Sequence, residues 1–414
     1  MDNGYGPRHH PRLYMQGDFS EELQARLRDV DARGLRRRLR QVDSAQGPHL
    51  MAAGRSLLNF SSNDYLGLAT HPALKEAAIR AIEKFGAGAG AARLISGSQA
   101  PHHELEEALA QFKGTEAALT FSSGYATALG VLGALLGKDD IVILDKLAHA
   151  SLVDAVRLCG AKLRVFHHND LADLEAKLKW ADTRAAACAP RPRVVIITES
   201  VFSMDGDIAP LLNIADLKDR YGAWLMVDEA HATGLYGEMR RGVLEEFGVG
   251  ARVEIQMGTL GKALGAAGGY ICGTRALVDL VMNRARSFIF STAPVPAQVA
   301  AARAGVAVVQ SPEGAQRRDR LWALVDHLKN GLIRSGWKLP AVRSAILPVR
   351  VGAELAAMKL AERLLAREVW VPAVRYPTVA RGAARLRITV SAAHETADLD
   401  CLIAAMTHAR DAHE

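Results

Sequence analysis

The sequence has 414 residues, of which 49% are hydrophobic and 23% charged, with a formal net charge of +6. That length suits two or three domains of ordinary globular composition, and no uncharged apolar run approaches the roughly 18 residues of a membrane-spanning helix. The basic residues are dispersed apart from Arg36, Arg37, Arg38 and Arg40, so the excess attracts anions in general and does not specify nucleic acid.

Residues 1–20 are polar and rich in Gly, Pro, His and Arg. They lack the apolar centre of a secretory signal, and are expected to be a mobile leader of a cytoplasmic protein, with Met15 as an alternative start. Leu23, Leu27 and Val30 recur at helical spacing, which predicts a charged amphipathic helix over about residues 20–40. Residues 1–56 then form a leader and helical arm. From Leu57 the chain alternates apolar runs with helix-like segments. Gly86-Ala-Gly-Ala-Gly90 follows a helix-like segment and lacks the spacing of a dinucleotide fingerprint, so flexible backbone beside a ligand is expected. Ser122-Ser123-Gly124-Tyr125 opens a run of small helix formers. Such a turn presents N–H groups that suit a phosphate, and reads equally as a plain helix cap.

Ile141–Leu144 is an apolar run ending in Asp145, and His149 follows shortly after. An isolated histidine is usually a satisfied or solvated side chain, but one beyond a strand end can stack on a planar ligand. His102-His103 and His167-His168 are expected to be solvated, with no metal site, because no third ligand stands at metal spacing. Cys159, Cys188, Cys272 and Cys401 are widely separated; without a Cys-x-x-Cys pair they predict free buried thiols. Further apolar runs at Val194–Thr198 and Trp224–Val227 end in Glu199-Ser200 and Asp228, with helical segments at Leu171–Trp180 and Leu211–Tyr221 between them. Uninterrupted apolar strands separated by helices predict an α/β fold, a parallel sheet covered on both faces over residues 57–304. Polar residues at the carboxyl ends of such strands stand where these folds bind ligands.

Asp228-Glu229-Ala230-His231 spells a helicase box. An NTPase would also need Gly-x-x-x-x-Gly-Lys-Ser/Thr. At the Gly-Lys candidate Gly261-Lys262, Gln256 replaces the first glycine, Ala263 replaces the hydroxyl, and the loop follows the acidic box. The NTPase reading is rejected. Lys262 itself, within Gly258-Thr-Leu-Gly-Lys-Ala-Leu-Gly265, is the most informative residue. A lysine among glycines, downstream of an aspartate at a strand end, is the apparatus for holding pyridoxal phosphate (PLP). The amine forms a Schiff base with the cofactor aldehyde, and a carboxylate keeps the pyridine nitrogen protonated. Small neighbours let backbone approach the ring. After residue 305 the texture changes to a smaller α+β domain, residues 305–414. Its helices are predicted at Gln316–Arg334 and Leu355–Glu368, and its strands at Ile346–Val351, near Val369 and at Arg385–Val390.

Longer motifs carry a family resemblance. Asn59-Phe-Ser-Ser-Asn-Asp-Tyr-Leu-Gly67, Ser200-Val-Phe-Ser-Met-Asp-Gly-Asp207, Val227-Asp-Glu-Ala-His-Ala-Thr-Gly234 and Gly258-Thr-Leu-Gly-Lys262 resemble those of the α-oxoamine synthases, PLP-dependent enzymes of the aspartate-aminotransferase fold type. The likeness runs from about Asp31 to the C-terminus. It implies PLP-dependent transferase fold type I, a large PLP-binding domain with a mostly parallel seven-stranded sheet and a smaller C-terminal domain. It implies that Lys262 carries the Schiff base and then acts as base, that Asp228 pairs with the ring nitrogen, that His231 hydrogen-bonds the ring oxygen, and that His149 stacks on the ring and meets substrate. Ser203, Thr259, Gly124 and Tyr125 would hold the phosphate or adjacent ring edge. Arg375 would fork onto a carboxylate, Thr378 and Arg36 would touch substrate, and Asn63 and Glu199 would orient neighbours. The segment Ala373–Val379 with Ala384-Arg-Leu-Arg-Ile-Thr389 and Ser391-Ala-Ala-His394 favours a member that condenses L-alanine with a pimeloyl thioester, on CoA or on acyl carrier protein. Members that use glycine are the first alternative, and a non-catalytic PLP-binding regulator is the second. A homodimer with active sites at the subunit interface is also implied, with neither nucleic acid nor membrane as partner.

Overall fold

The protein is represented by a computed structural model that describes residues 18–37, 39–340 and 343–411. The expected leader and Met15 fall almost wholly outside the described residues, as does Arg38. The chain divides into two units, Met1–Gln41 and Val42–Glu414. In the first, a helix spans Phe19–Ala32, capped by the Asp18 carboxylate accepting from the Ser20 amide. It is shorter than the expected 20–40. The amide of Leu35 donates to Val30 O and that of Gly34 to Asp31 O, a turn that closes the helix C-terminus. None of its residues is buried.

The second unit is built on alternation. β1 (His49–Ala52) and β2 (Arg55–Asn59) form a hairpin; β3 (Ala117–Phe121), β4 (Ile141–Asp145), β5 (Lys162–Phe166), β6 (Val194–Glu199), β7 (Trp224–Asp228), β8 (Ile255–Thr259) and β9 (Gly269–Gly273) form one sheet in the order β3-β9-β8-β7-β6-β4-β5. Strands β4 to β8 pair in parallel, and β9 runs antiparallel to both β3 and β8. The fold is therefore the expected α/β class. Successive residues serve opposite faces. Ile141, Ile143, Ile196, Leu225 and Val227 enter one core, while Val142, Leu144, Val195, Ile197 and Met226 enter the other. Only the edge strand β5 is largely exposed. Helices Leu171–Ala186 and Leu211–Tyr221 connect β5 to β6 and β6 to β7, as the right spacing for parallel crossovers demands.

Further along, β10 (Ile346–Gly352), β12 (Ala373–Val374) and β13 (Ala384–Thr389) make an antiparallel sheet in the order β10-β13-β12, and β11 (Val369–Trp370) joins β2 in parallel. Helices Pro312–Arg334 and Glu354–Ala366 cover this part. Among the described residues no helix is long and apolar enough to cross a membrane.

Three expectations about single side chains are corrected. His102 is fully buried, with Nε2 2.8 Å from the carbonyl oxygen of Pro294. His168 is not solvated but lies between two carboxylates, and only His103 and His167 of the two pairs face solvent. Of the cysteines, Cys272 is buried, Cys159 half-buried, and Cys188 and Cys401 are exposed. Periodicity did not register these contacts because each is made to a distant segment.

The sheet brings the start of helix Gly124–Leu135 against β9, and Gly269 permits that approach. A Cβ there would sit 2.7 Å from the backbone nitrogen of Gly124. Gly269→Ala is expected to destabilise the protein by about 1–3 kcal/mol through overpacking, read as a lower thermal midpoint.

Candidate active site

Parallel strands deliver their last residues to one edge. There Asp145, Glu199 and Asp228 close the adjacent strands β4, β6 and β7, with Glu199 in register with Asp228. All three are buried. After Asp228 the chain turns at once, and the Ala230 amide donates to Asp228 Oδ1 at 2.9 Å. Glu229 goes to the other side of β7. Its carboxylate accepts from Lys113 Nζ at 2.5 Å and from the Leu244 amide at 3.0 Å. The acidic pair of the helicase-like box is thereby split between a ligand edge and a buried ion pair.

His231 returns to the edge. Its Nε2 lies 2.8 Å from Lys262 Nζ and its Nδ1 2.5 Å from the Tyr65 hydroxyl. When the amine is protonated it donates to Nε2, and Nδ1–H donates to Tyr65; with a neutral amine both bonds can reverse. Burial holds His231 well below its usual value, assisted by the charges of Lys262 and Arg387. Burial likewise pushes Tyr65 up to about 12. The imidazole is thus neutral and the phenol intact at physiological pH.

Lys262 sits in the loop between β8 and β9, closed by the Leu260 amide donating to Gly268 O at 3.0 Å. Burial lowers its amine to about 8, Asp228 and Glu199 pull it upward, and Arg387 presses it down again. Burial raises Glu199 to about 8, with the charge of Asp228 adding to it. Burial raises Asp228 too, against the ammonium of Lys262 and the Ala230 amide. Two neighbouring carboxyls that compete for one ammonium share their protons. The amine is poised near neutrality, where a lysine can serve as both nucleophile and base.

His149 caps helix Ala150–Cys159, with Nδ1 2.8 Å from Ser151 Oγ. Its own amide donates to Glu199 Oε1 at 2.5 Å. Burial lowers the imidazole below its ordinary value. Ser123 caps helix Gly124–Leu135 by accepting from the Ala126 amide at 3.1 Å. Gly124 and Tyr125 therefore lead the helix, where amides have no partner within it. A Cβ on Gly124 would lie 3.9 Å from Thr259 Cβ and Met257 Cε, so the helix start and Thr259 face one space. The Thr259 hydroxyl donates to Gly268 O at 2.9 Å, and Tyr125 OH donates to Asp154 at 2.9 Å.

Ser203 follows β6, and its carbonyl accepts from Arg387 Nε at 2.6 Å. Arg387, on β13, also donates to Thr389 Oγ1 at 2.9 Å and to Asn63 Oδ1 at 3.1 Å. The structure thus brings Lys262, Asp228, His231 and His149 into one cluster, with Ser203, Gly124, Tyr125 and Thr259 in the segments around it. Arg375 and Thr378 lie in the turn after β12, where the Thr378 amide donates to Arg375 O at 3.0 Å. Arg36 belongs to the first unit and pairs with Asp31 at 3.0 Å. Sequence reasoning assigned no role to Arg387 or Tyr65, although both stand inside quoted motifs. The one available signal was an arginine alternating into the buried face of an apolar strand, Ala384-Arg-Leu-Arg-Ile-Thr389.

Comparison with known proteins agrees with this geometry. The family of aminotransferases of class I and II matches residues 55–406. The 8-amino-7-oxononanoate synthase of Geobacter sulfurreducens is 46% identical over 388 residues, covering 94% of this chain and 97% of that one. That of Anaeromyxobacter sp. (strain K) is 48% identical over 382 residues, covering 92% and 94%. Among solved structures, a lysine-to-alanine variant of serine palmitoyltransferase from S. paucimobilis with a bound PLP–myriocin aldimine superposes with a TM-score of 0.87 at 29% identity, covering 96% of this chain and 99% of that one. The 8-amino-7-oxononanoate synthase of Francisella tularensis superposes with a TM-score of 0.72 at 26% identity, covering 86% and 98%. With a match of that extent and relatives of that similarity, the chain belongs to the aminotransferase class I and II family, alongside the 8-amino-7-oxononanoate synthases.

Proposed function

We propose that the chain is a PLP-dependent acyltransferase of biotin biosynthesis. It condenses L-alanine with a pimeloyl thioester, on CoA or on carrier protein, to give 8-amino-7-oxononanoate, carbon dioxide and free thiol. The observation that carries this reading is the Lys262 amine, lowered to about 8 and held 2.8 Å from a neutral His231 opposite Asp228, in a chain so similar to those synthases.

The donor set fits PLP. Lys262 offers an amine for the aldehyde, Asp228 a carboxylate for the ring nitrogen, and His231 an imidazole for the ring oxygen. His149 offers a flat face, and the start of helix Gly124–Leu135 with Ser203 and Thr259 offers donors for the phosphate. Bound there, PLP supplies an electron-withdrawing ring that stabilises a carbanion next to the amino-acid nitrogen. Asp228 would hold the ring nitrogen as an anion, and Glu199, which accepts the His149 amide, would keep the shared proton. Lys262 Nζ takes the α-proton of alanine, and later returns a proton to carbon once carbon dioxide has left. His231 and Tyr65 keep that amine oriented through their hydrogen bonds. Arg387 stands close enough to depress Lys262, and its guanidinium beside that amine favours it for the carboxylate of alanine. Arg375 and Thr378 are the further substrate contacts of this reading. It also carries a homodimer, supported by Ile95 and Phe290, which are 80% and 70% exposed despite being large and apolar.

Lys262→Ala should fold normally yet lower thiol release from pimeloyl-CoA by about 10⁴-fold or more. With the unaltered protein, release should require L-alanine; release with glycine and another acyl-CoA alone would transfer the chain to a glycine-using synthase. Arg387→Lys should raise the KM for alanine by about ten- to a hundredfold, because an ammonium cannot replace the fork; an unchanged KM would remove Arg387 from the carboxylate site. Sedimentation equilibrium should return twice the mass of one chain.

A further inference from the structure

His168 stands outside the residues that meet cofactor or substrate, yet both its nitrogens are engaged. Nδ1 lies 2.9 Å from Asp145 Oδ1 and Nε2 lies 2.6 Å from Asp207 Oδ2. Carboxylates only accept, so both ring nitrogens must donate and the ring is an imidazolium. Each carboxylate organises a different loop. Asp145 ends β4 and accepts from the Leu147 amide at 2.7 Å and the Asn169 amide at 3.1 Å. Two residues beyond Leu147 comes His149, whose amide is tied to Glu199. Asp207 closes the loop that holds Ser203: its carbonyl accepts from the Phe202 amide at 3.0 Å, while the Gly206 amide donates to Phe202 O at 2.8 Å. The imidazole edge also meets the Phe202 ring, with centroids 4.4 Å apart and planes at 86°.

We infer that His168 is a positioning residue of this site, an imidazolium clasp that ties the loop carrying His149 to the loop carrying Ser203. The inference rests on the PLP reading of that site. Acting through Asp145 and Asp207, the clasp fixes the separation between the group that faces the ring and the group that meets the phosphate edge. An imidazolium between two carboxylates has more than a packing role. Its charge-assisted bonds set distance and direction at both ends. Burial opposes the charge, but the hydrogen bonds to Asp145 and Asp207 prevail and lift the ring to about 9. A raised value means that the clasp is fully formed below the ordinary 6.5 and is lost as the pH rises through about 9. Asp145 from β4 and Asp207 from the loop after β6 are the charged groups that face it. Its neighbour His167 turns away to Asp173, 2.7 Å distant.

The test uses full-length protein loaded with PLP and follows cofactor release after dilution into PLP-free buffer, alongside thermal melts. The variants are His168→Gln and Asp207→Asn, with His167→Gln as control. Near neutral pH, His168→Gln and Asp207→Asn should release PLP about tenfold or more faster than the unaltered protein, and His167→Gln should not. Release from the unaltered protein should quicken as the pH rises through about 9; His168→Gln should be fast and flat across that window. Asp207→Asn carries the test if His168→Gln fails to fold. Folded variants that keep PLP as firmly as the unaltered protein, or the same pH step in His168→Gln, would overturn the clasp while leaving the PLP reading intact. An unaltered protein that takes up no PLP would instead overturn the cofactor reading, and the clasp with it.

Discussion

Negative charge at the carboxyl edge of the large sheet has to be balanced in place. Asp145, Glu199 and Asp228 end three adjacent strands, all buried, and a buried carboxylate without a partner costs several kcal/mol. Each finds a different remedy. Asp145 takes the imidazolium of His168 and two backbone amides. Asp228 faces the ammonium of Lys262 and the Ala230 amide, and Glu199, pushed up to about 8 by burial and by Asp228, keeps its proton. The partners of Asp145 and Asp228 come from loops, so those loops are held where the charges need them. The same balance sets the chemistry. Burial and Arg387 lower Lys262, two carboxyls raise it, and the result is an amine near 8.

The scaffold protects that edge from both sides. Alternation along β7 sends Asp228 to the ligand side and its neighbour Glu229 to Lys113, in an ion pair whose side chains are 1% and 0% exposed. Such a pair adds little net stability over an apolar substitute, but the loss of either partner would strand a charge. It therefore works as a register pin. A one-residue slip of β7 would exchange Asp228 for Glu229 and unpair both. The two apolar cores reinforce the same register, since Val227 and Met226 belong to opposite ones.

Much of this was legible in residue order. Apolar runs ending in Asp145, Glu199 and Asp228 predicted parallel strands with these carboxyls at one edge, and the motif around Lys262 predicted a PLP enzyme. What escaped was whatever depends on a distant partner. β9 reverses direction within the sheet, and nothing in Gly269–Gly273 announces it. His168 reads as one of two adjacent polar histidines until Asp207, 39 positions later, is folded against it. Tyr65 reads as a member of an extended motif, and only the fold places its hydroxyl on His231 across 166 positions. Arg387 is the sharpest case. Its alternation with Leu386 and Ile388 shows a strand, but two of the guanidinium's partners, Ser203 and Asn63, come from distant places in the chain, and Thr389 comes from its own strand end.

Arg387 also shows how the two sheets cooperate. The lysine, aspartate and histidines come from the carboxyl edge of the large sheet, whereas Arg387 rises from β13 of the antiparallel one. Its bond to Ser203 O reaches the loop after β6, and its bond to Asn63 reaches the segment that supplies Tyr65. The distance from the guanidinium to Lys262 therefore follows from contacts between elements, not from any one element's sequence. Reactivity at the amine depends on the charge balance of the large sheet. The positive charge beside that amine depends on where the small sheet holds Arg387. Because Arg387 is bonded to Ser203, its place is tied to the loop after β6, the same loop that His168 reaches through Asp207.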